Sequence, residues 1–126
     1  MSPSPSPEVR VFNLAQGFGR LAKPWNPGIA GQVNDMHVKL ARLEGEFLWH
    51  THAAEDEMFL VHAGHMVMHL RDRALPVGPG EFVIIPAGVE HKPEAPQFAE
   101  VVLFEPAGTL NTGDAGGERT VTPDWL

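Results

Sequence analysis

Residues 49 to 59 read WHTHAAEDEMF, with His50 and His52 one residue apart and Glu55, Asp56 and Glu57 following as three consecutive acids. Alternate residues of an extended strand share a face at a Cα spacing of about 6.6 Å, so two imidazoles in this pattern can meet at one ion. Read as a strand, Phe47 to His52 places Leu48, His50 and His52 on one face and Phe47, Trp49 and Thr51 on the other. An isolated His-x-His is more often a pair of surface histidines. Here it is followed by Glu57, six residues to Gly64, and then GEFVIIPAGVEH at residues 80 to 91, which returns His91 from a distant segment. Four metal-ligating side chains arrive together.

The surrounding pattern is that of an all-β chain. Twelve prolines and 13 glycines separate short apolar runs, as tight turns separate strands. The runs are 29 to 33, 36 to 43, 47 to 52, 58 to 63, 65 to 70, 75 to 77, 82 to 85 and 99 to 104. Asn34-Asp35, between the first two, tolerates the backbone of a hairpin turn. Helix is expected only as a turn or two within NLAQGFGRLA, where Gly17 and Gly19 weaken it. The 126 residues suit one domain, over residues 9 to 126. Residues 1 to 8, with their Ser-Pro alternation, are expected to be a disordered tail.

Sixteen acids against nine Lys and Arg give a formal charge of −7, a field that repels nucleic acid. No apolar run approaches the roughly 20 residues of a membrane-spanning helix. Cysteine is absent, which excludes disulfides and zinc-thiolate sites and leaves imidazole and carboxylate to hold any metal. Together with an opening that lacks the order of a secretory signal, this makes a cytoplasmic protein the expectation.

The two histidine-bearing stretches resemble the paired motifs of the cupin superfamily. The first is Gly45, four residues, His50-Thr51-His52, four residues, Glu57, six residues and Gly64, with the spacer after Gly45 one residue short of the family pattern. The second is Gly80, five residues, Pro86-Ala87-Gly88, two residues and His91, with Ala95 where the family has a closing Asn. The motifs occupy residues 45 to 64 and 80 to 95, and their flanks are similar to small bacterial single-domain cupins of unsettled activity, often compared with mannose-6-phosphate isomerases. The resemblance implies a jelly-roll barrel of two antiparallel sheets, with His50, His52, Glu57 and His91 as ligands of one divalent transition metal. Iron, manganese, nickel, cobalt and zinc all accept this set, and an octahedral ion would keep two positions open for a guest. The implied function is that of a small-molecule metalloenzyme with dioxygenase-like or isomerase/lyase-like chemistry. The alternatives are a binding or sensor domain without turnover and a barrel whose ligand set stays empty. No residue stands out as a general base.

Glu55 has the same parity as Glu57 and is the rival ligand, and Glu55 with Asp56 otherwise forms a solvated acidic rim. Leu48, Phe59, Met66 and Met68 are expected to line a substrate pocket. Phe47 and Trp49 are assigned to the outer face, packing between sheets or at the interface of a homodimer. Trp25 and Trp125 are expected to pin the terminal segments. His37, His62, His65 and His69 are read as partly exposed or at an interface. Lys39, Arg42, Arg71, Arg73 and Lys92 are read as solvated charges, with Arg42 the candidate for the cavity if the substrate is phosphorylated.

Overall fold

The computed structural model describes residues 8 to 126, so all of the expected tail except Glu8 lies outside the described residues. One helix and eight strands are seen among the described residues: α1 (Leu14–Gly19), β1 (Gly28–Val33), β2 (Met36–Glu46), β3 (Glu57–Gly64), β4 (Met66–Leu70), β5 (Ala74–Val77), β6 (Phe82–Ile85), β7 (His91–Pro106) and β8 (Asp124–Trp125). The Asn34-Asp35 hairpin joins β1 to β2 with Val33 opposite Met36.

The long strand β7 organises the jelly roll. Its first residues pair with β4 and its later ones with β3, while β2 runs antiparallel to it from Glu46 to Met36. Period-two alternation then sorts the side chains into two cores. Ala41, Leu43, Phe59, Val61, Met66, Met68, Ala99 and Val101 turn inward to form the larger cluster. Leu40 and Val102 turn outward, where Phe18 of α1 covers them. Asn13 caps that helix by accepting a hydrogen bond from the Gln16 N–H at 2.9 Å, and a Cβ on Gly17 would meet the Phe12 and Leu40 side chains, so this glycine lets the helix lie close to the sheet.

Two expectations are corrected. Phe47 to His52 is not a strand: it has a single bridge, between His50 and His91, and β8 completes the eight. Its backbone groups are taken up elsewhere, since Thr51 N–H donates to Asp114 Oδ1 at 2.7 Å and the Thr51 and His52 carbonyls accept from Asp114 and Gly88. A chain so engaged cannot enter a ladder. The barrel, likewise, does not close, because β5 and β8 end the strand path and β6 pairs with β3 alone. Gly45 (φ 72°) lies within β2 beside a bulge. Trp125 sits on β8, whose Asp124–Trp125 pair joins β1 in parallel.

Candidate metal centre

His50 and His91 are brought together by reciprocal backbone hydrogen bonds, each N–H donating to the other's carbonyl at 3.0 Å. The Gly88 N–H donates to the His52 carbonyl at 2.8 Å, and Asp56 Oδ1 accepts from the Ala87 N–H at 2.8 Å. The loop carrying the first two histidines is thereby tied to the segment leading to the third. Glu57, the first residue of β3, faces inward with Phe59 and Val61.

His50, His52, Glu57 and His91 are all buried, and one donor atom from each lies within 4.8 Å of every other. Glu57 Oε1 is 2.9 Å from His52 Nε2 and 3.1 Å from His91 Nε2. Donors about 2.1 Å from one ion and at right angles to each other stand about 3 Å apart, so these separations suit shared coordination. Glu55 is only half-buried, 3.9 Å from His52 Nδ1 and outside the cluster.

The tautomers point the same way. His50 Nδ1 is 2.9 Å from the Leu48 carbonyl and His91 Nδ1 is 2.9 Å from the Val89 carbonyl. A carbonyl only accepts, so each Nδ1 carries the proton, and a neutral ring then turns its Nε2 lone pair to the cluster. His91 Nε2 also lies within hydrogen-bonding distance of Glu57 Oε1, a contact that needs either a proton on that nitrogen or a cation beside both atoms. His52 Nε2, close to Glu57 but misaligned, has no hydrogen bond at all. Burial, partly offset by the Leu48 carbonyl, pulls the His50 pKa down to about 4 and keeps this ring neutral near pH 7. Burial also works against the charge of Glu57, but the adjoining His52 and His91 rings outweigh it and hold its carboxyl well below the usual range. The donor set, its charge and its orphaned nitrogen fit a divalent transition metal ion.

A cavity of about 50 Å³ adjoins the cluster, with His50 and Glu57 in its wall. At 10 to 15 Å³ for one water, that is room for roughly four waters or a guest of a few heavy atoms. Phe59 lines it. Leu48 is half-buried outside the lining, and Met66 and Met68 are packed into the core cluster. Phe47, assigned to the outer face, is buried in the cavity wall because residues 47 to 52 do not follow strand alternation. It stacks on Trp25 with ring centroids 4.8 Å apart, and the Trp25 indole N–H donates to the Glu44 carbonyl. Trp49 does stay on the surface side, under the Arg71 guanidinium.

Lys39 is the clearest correction. It is 2% exposed, on the inner face with Ala41 and Leu43, and its Nζ donates to Glu105 Oε2 at 2.6 Å and to the Thr109 carbonyl at 3.3 Å. Lys39 and Glu105 are diagonal neighbours across β2 and β7, and both line the cavity. Strand parity with Ala41 and Leu43 was the available signal. Burial and the neighbouring Glu57 carboxylate push the Glu105 carboxyl up to about 9, with Lys39 opposing. Of the remaining histidines, His62 and His65 are exposed and His69 pairs with Glu94 at 2.7 Å.

The cupin domain family matches residues 36 to 105. A solved cupin-2 domain protein of Shewanella frigidimarina is 38% identical, covering 76% of this chain and 94% of that one with a TM-score of 0.75. A Neisseria meningitidis protein is 26% identical over 78% of this chain and 100% of its own, with a TM-score of 0.71. The uncharacterized protein YdbB of Bacillus subtilis is 36% identical over 62 residues, 48% of this chain and 55% of that protein, so the match spans about half the curated relative's length. The chain belongs to the cupin domain family.

Proposed function

We propose that His50, His52, Glu57 and His91 hold one divalent transition metal ion, whether iron, manganese, nickel, cobalt or zinc, and that the protein is a small-molecule metalloenzyme with dioxygenase-like or isomerase/lyase-like chemistry. The observation that carries this reading is the convergence of one donor atom from each of these four buried residues within 4.8 Å of one another, with the Nδ1 atoms of His50 and His91 held by backbone carbonyls. A bound ion would supply Lewis acidity or, with a redox-active metal, reactivity toward dioxygen. The protein's own part is orientation and exclusion of water: the backbone bonds hold the rings in place, and Phe47, Phe59 and Trp25 wall a cavity that admits only a small guest.

The isomerase branch rests only on the resemblance of the motif flanks to small cupins often compared with mannose-6-phosphate isomerases. Arg42 is absent from the cavity lining, and the cation that does line it, Lys39, is tied to Glu105. A cytoplasmic homodimer completes the reading, supported by the lack of cysteine and by Phe82 and Ile84, both more than half exposed on β6.

Elemental analysis of protein purified without added metal, beside His50→Ala and His91→Ala, tests the site. One ion per chain is expected in the wild type and far less in the variants, and equal metal in all three would overturn it. Turnover that vanishes on chelation and returns with one metal would separate an enzyme from a sensor that only binds.

A further inference from the structure

Away from the metal centre, the outer face of the sheet carries apolar side chains that α1 covers only in part. Phe18 sits over its β2–β7 side. Toward β6, Phe82 lies opposite Leu60 and Ile84 opposite Met58, and Phe82 and Ile84 stay 58% and 53% exposed. Among the described residues β6 pairs with β3 alone, so its far edge keeps the free N–H and C=O groups that can take up another strand. A second feature lies at the other side of the sheet. Phe12 packs against the cluster under α1, beside Ala30 and Gly31 of β1, but Val9 and Val11 before it are wholly exposed. Residues 9 to 11 thus have the period-two apolar pattern of a strand and no ladder to enter.

We propose that this face is the interface between two copies of the chain, and that residues 8 to 11 of each copy cross over to add a strand to the free edge of β6 in the other. The inference rests on the homodimer reading and names the surface that forms it. Each copy carries a formal charge of −7, so a contact between copies needs a patch without like charges, and Met58, Leu60, Phe82 and Ile84 supply one. Parity fits the added strand. Val9 and Val11 join Phe82 and Ile84 on the outer face, while Arg10 falls on the opposite face, which has the parity of the acidic Glu81. The reach fits as well, since four extended residues span about 13 Å and packed sheets stand about 10 Å apart. A two-fold axis parallel to the strands lays the β1 side of one copy, where the arm begins, over the β6 side of the other. The open sheet residues alone fall short of the roughly 20 residues a side that a stable interface uses, and the exchanged arms enlarge it.

Sedimentation equilibrium of the full chain tests the exchange. The wild type is expected to be a dimer. Val9 and Val11 touch nothing within their own copy that holds its core together, so Val9→Asp/Val11→Asp leaves the fold intact and is expected to raise the dimer Kd at least about 100-fold, because the two-fold axis counts every lost valine contact twice. Ile84→Asp, on the receiving edge, is expected to weaken the dimer likewise. The chain has no cysteine, so Val11→Cys can be mixed with a size-tagged Phe82→Cys or Ile84→Cys chain and oxidised. A disulfide joining the tagged and untagged chains is expected in at least one mixture. A wild type that sediments as a monomer overturns the dimer reading and the exchange together. A dimer that ignores the arm variant, or that gives no mixed disulfide with either cysteine, overturns the exchange and leaves the dimer standing.

Discussion

Replacing Lys39 with methionine keeps the length of the side chain and removes its charge. Lys39 and Glu105 are each 2% exposed and meet at 2.6 Å, so the change leaves Glu105 in a dry interior without its hydrogen-bond donor, and its carboxyl, already pushed up to about 9, stays protonated near neutral pH. Leaving a buried polar group unsatisfied costs about 1 to 3 kcal/mol. With an unfolding entropy of about 2.1 cal/mol/K per residue, a chain of 126 residues should lose roughly 4 to 11 °C in Tm. Adding Glu105→Leu removes the unsatisfied carboxyl, and the double variant is expected to return to within about 1 kcal/mol of the wild type. Urea and thermal unfolding in the presence of chelator, with all four members of the cycle, measures both effects apart from any metal. A Lys39→Met variant that loses less than about 1 kcal/mol, as exposed pairs do, would show that the pair is not held in a dry interior.

Three further outcomes are expected. The folded chain refuses a proton at His50 until about pH 4, whereas the unfolded chain takes it up near 6.5; stability present above pH 6.5 is therefore lost as pH falls toward 4. The loss is about 3 kcal/mol, and melts of metal-free wild type against His50→Ala should converge over that window, while a constant difference would contradict it. Gly64 has φ 76° and a Cβ there would run into the Phe98 carbonyl oxygen, so Gly64→Ala should cost at least about 2 kcal/mol in urea unfolding. Gly113 has φ 52°, and a Cβ on it would press on the Thr51 carbonyl and stand 3.1 Å from the His50 ring. Gly113→Ala should weaken metal affinity about 10- to 100-fold in a chelator competition, and unchanged affinity would show that the His50 ring does not depend on this packing.

The amino-acid order alone determined the local choices. Residue spacing placed Phe59 and Val61 on the face of Glu57 and set the Asn34-Asp35 hairpin, because these depend on neighbours a few positions away, while the resemblance of the two motifs to those of cupins supplied His50, His52, Glu57 and His91 as one ligand set. Tertiary structure decided what depends on distant chain. Lys39 looks like any surface lysine until Glu105, 66 positions later, meets it across the β2–β7 ladder. Likewise, Phe47 to His52 has the composition of a strand, but Asp114 and Gly88 take its backbone groups. That turns Phe47 inward against Trp25. Periodicity specifies which face a side chain shares with its neighbours; only the register of remote strands specifies what that face encounters.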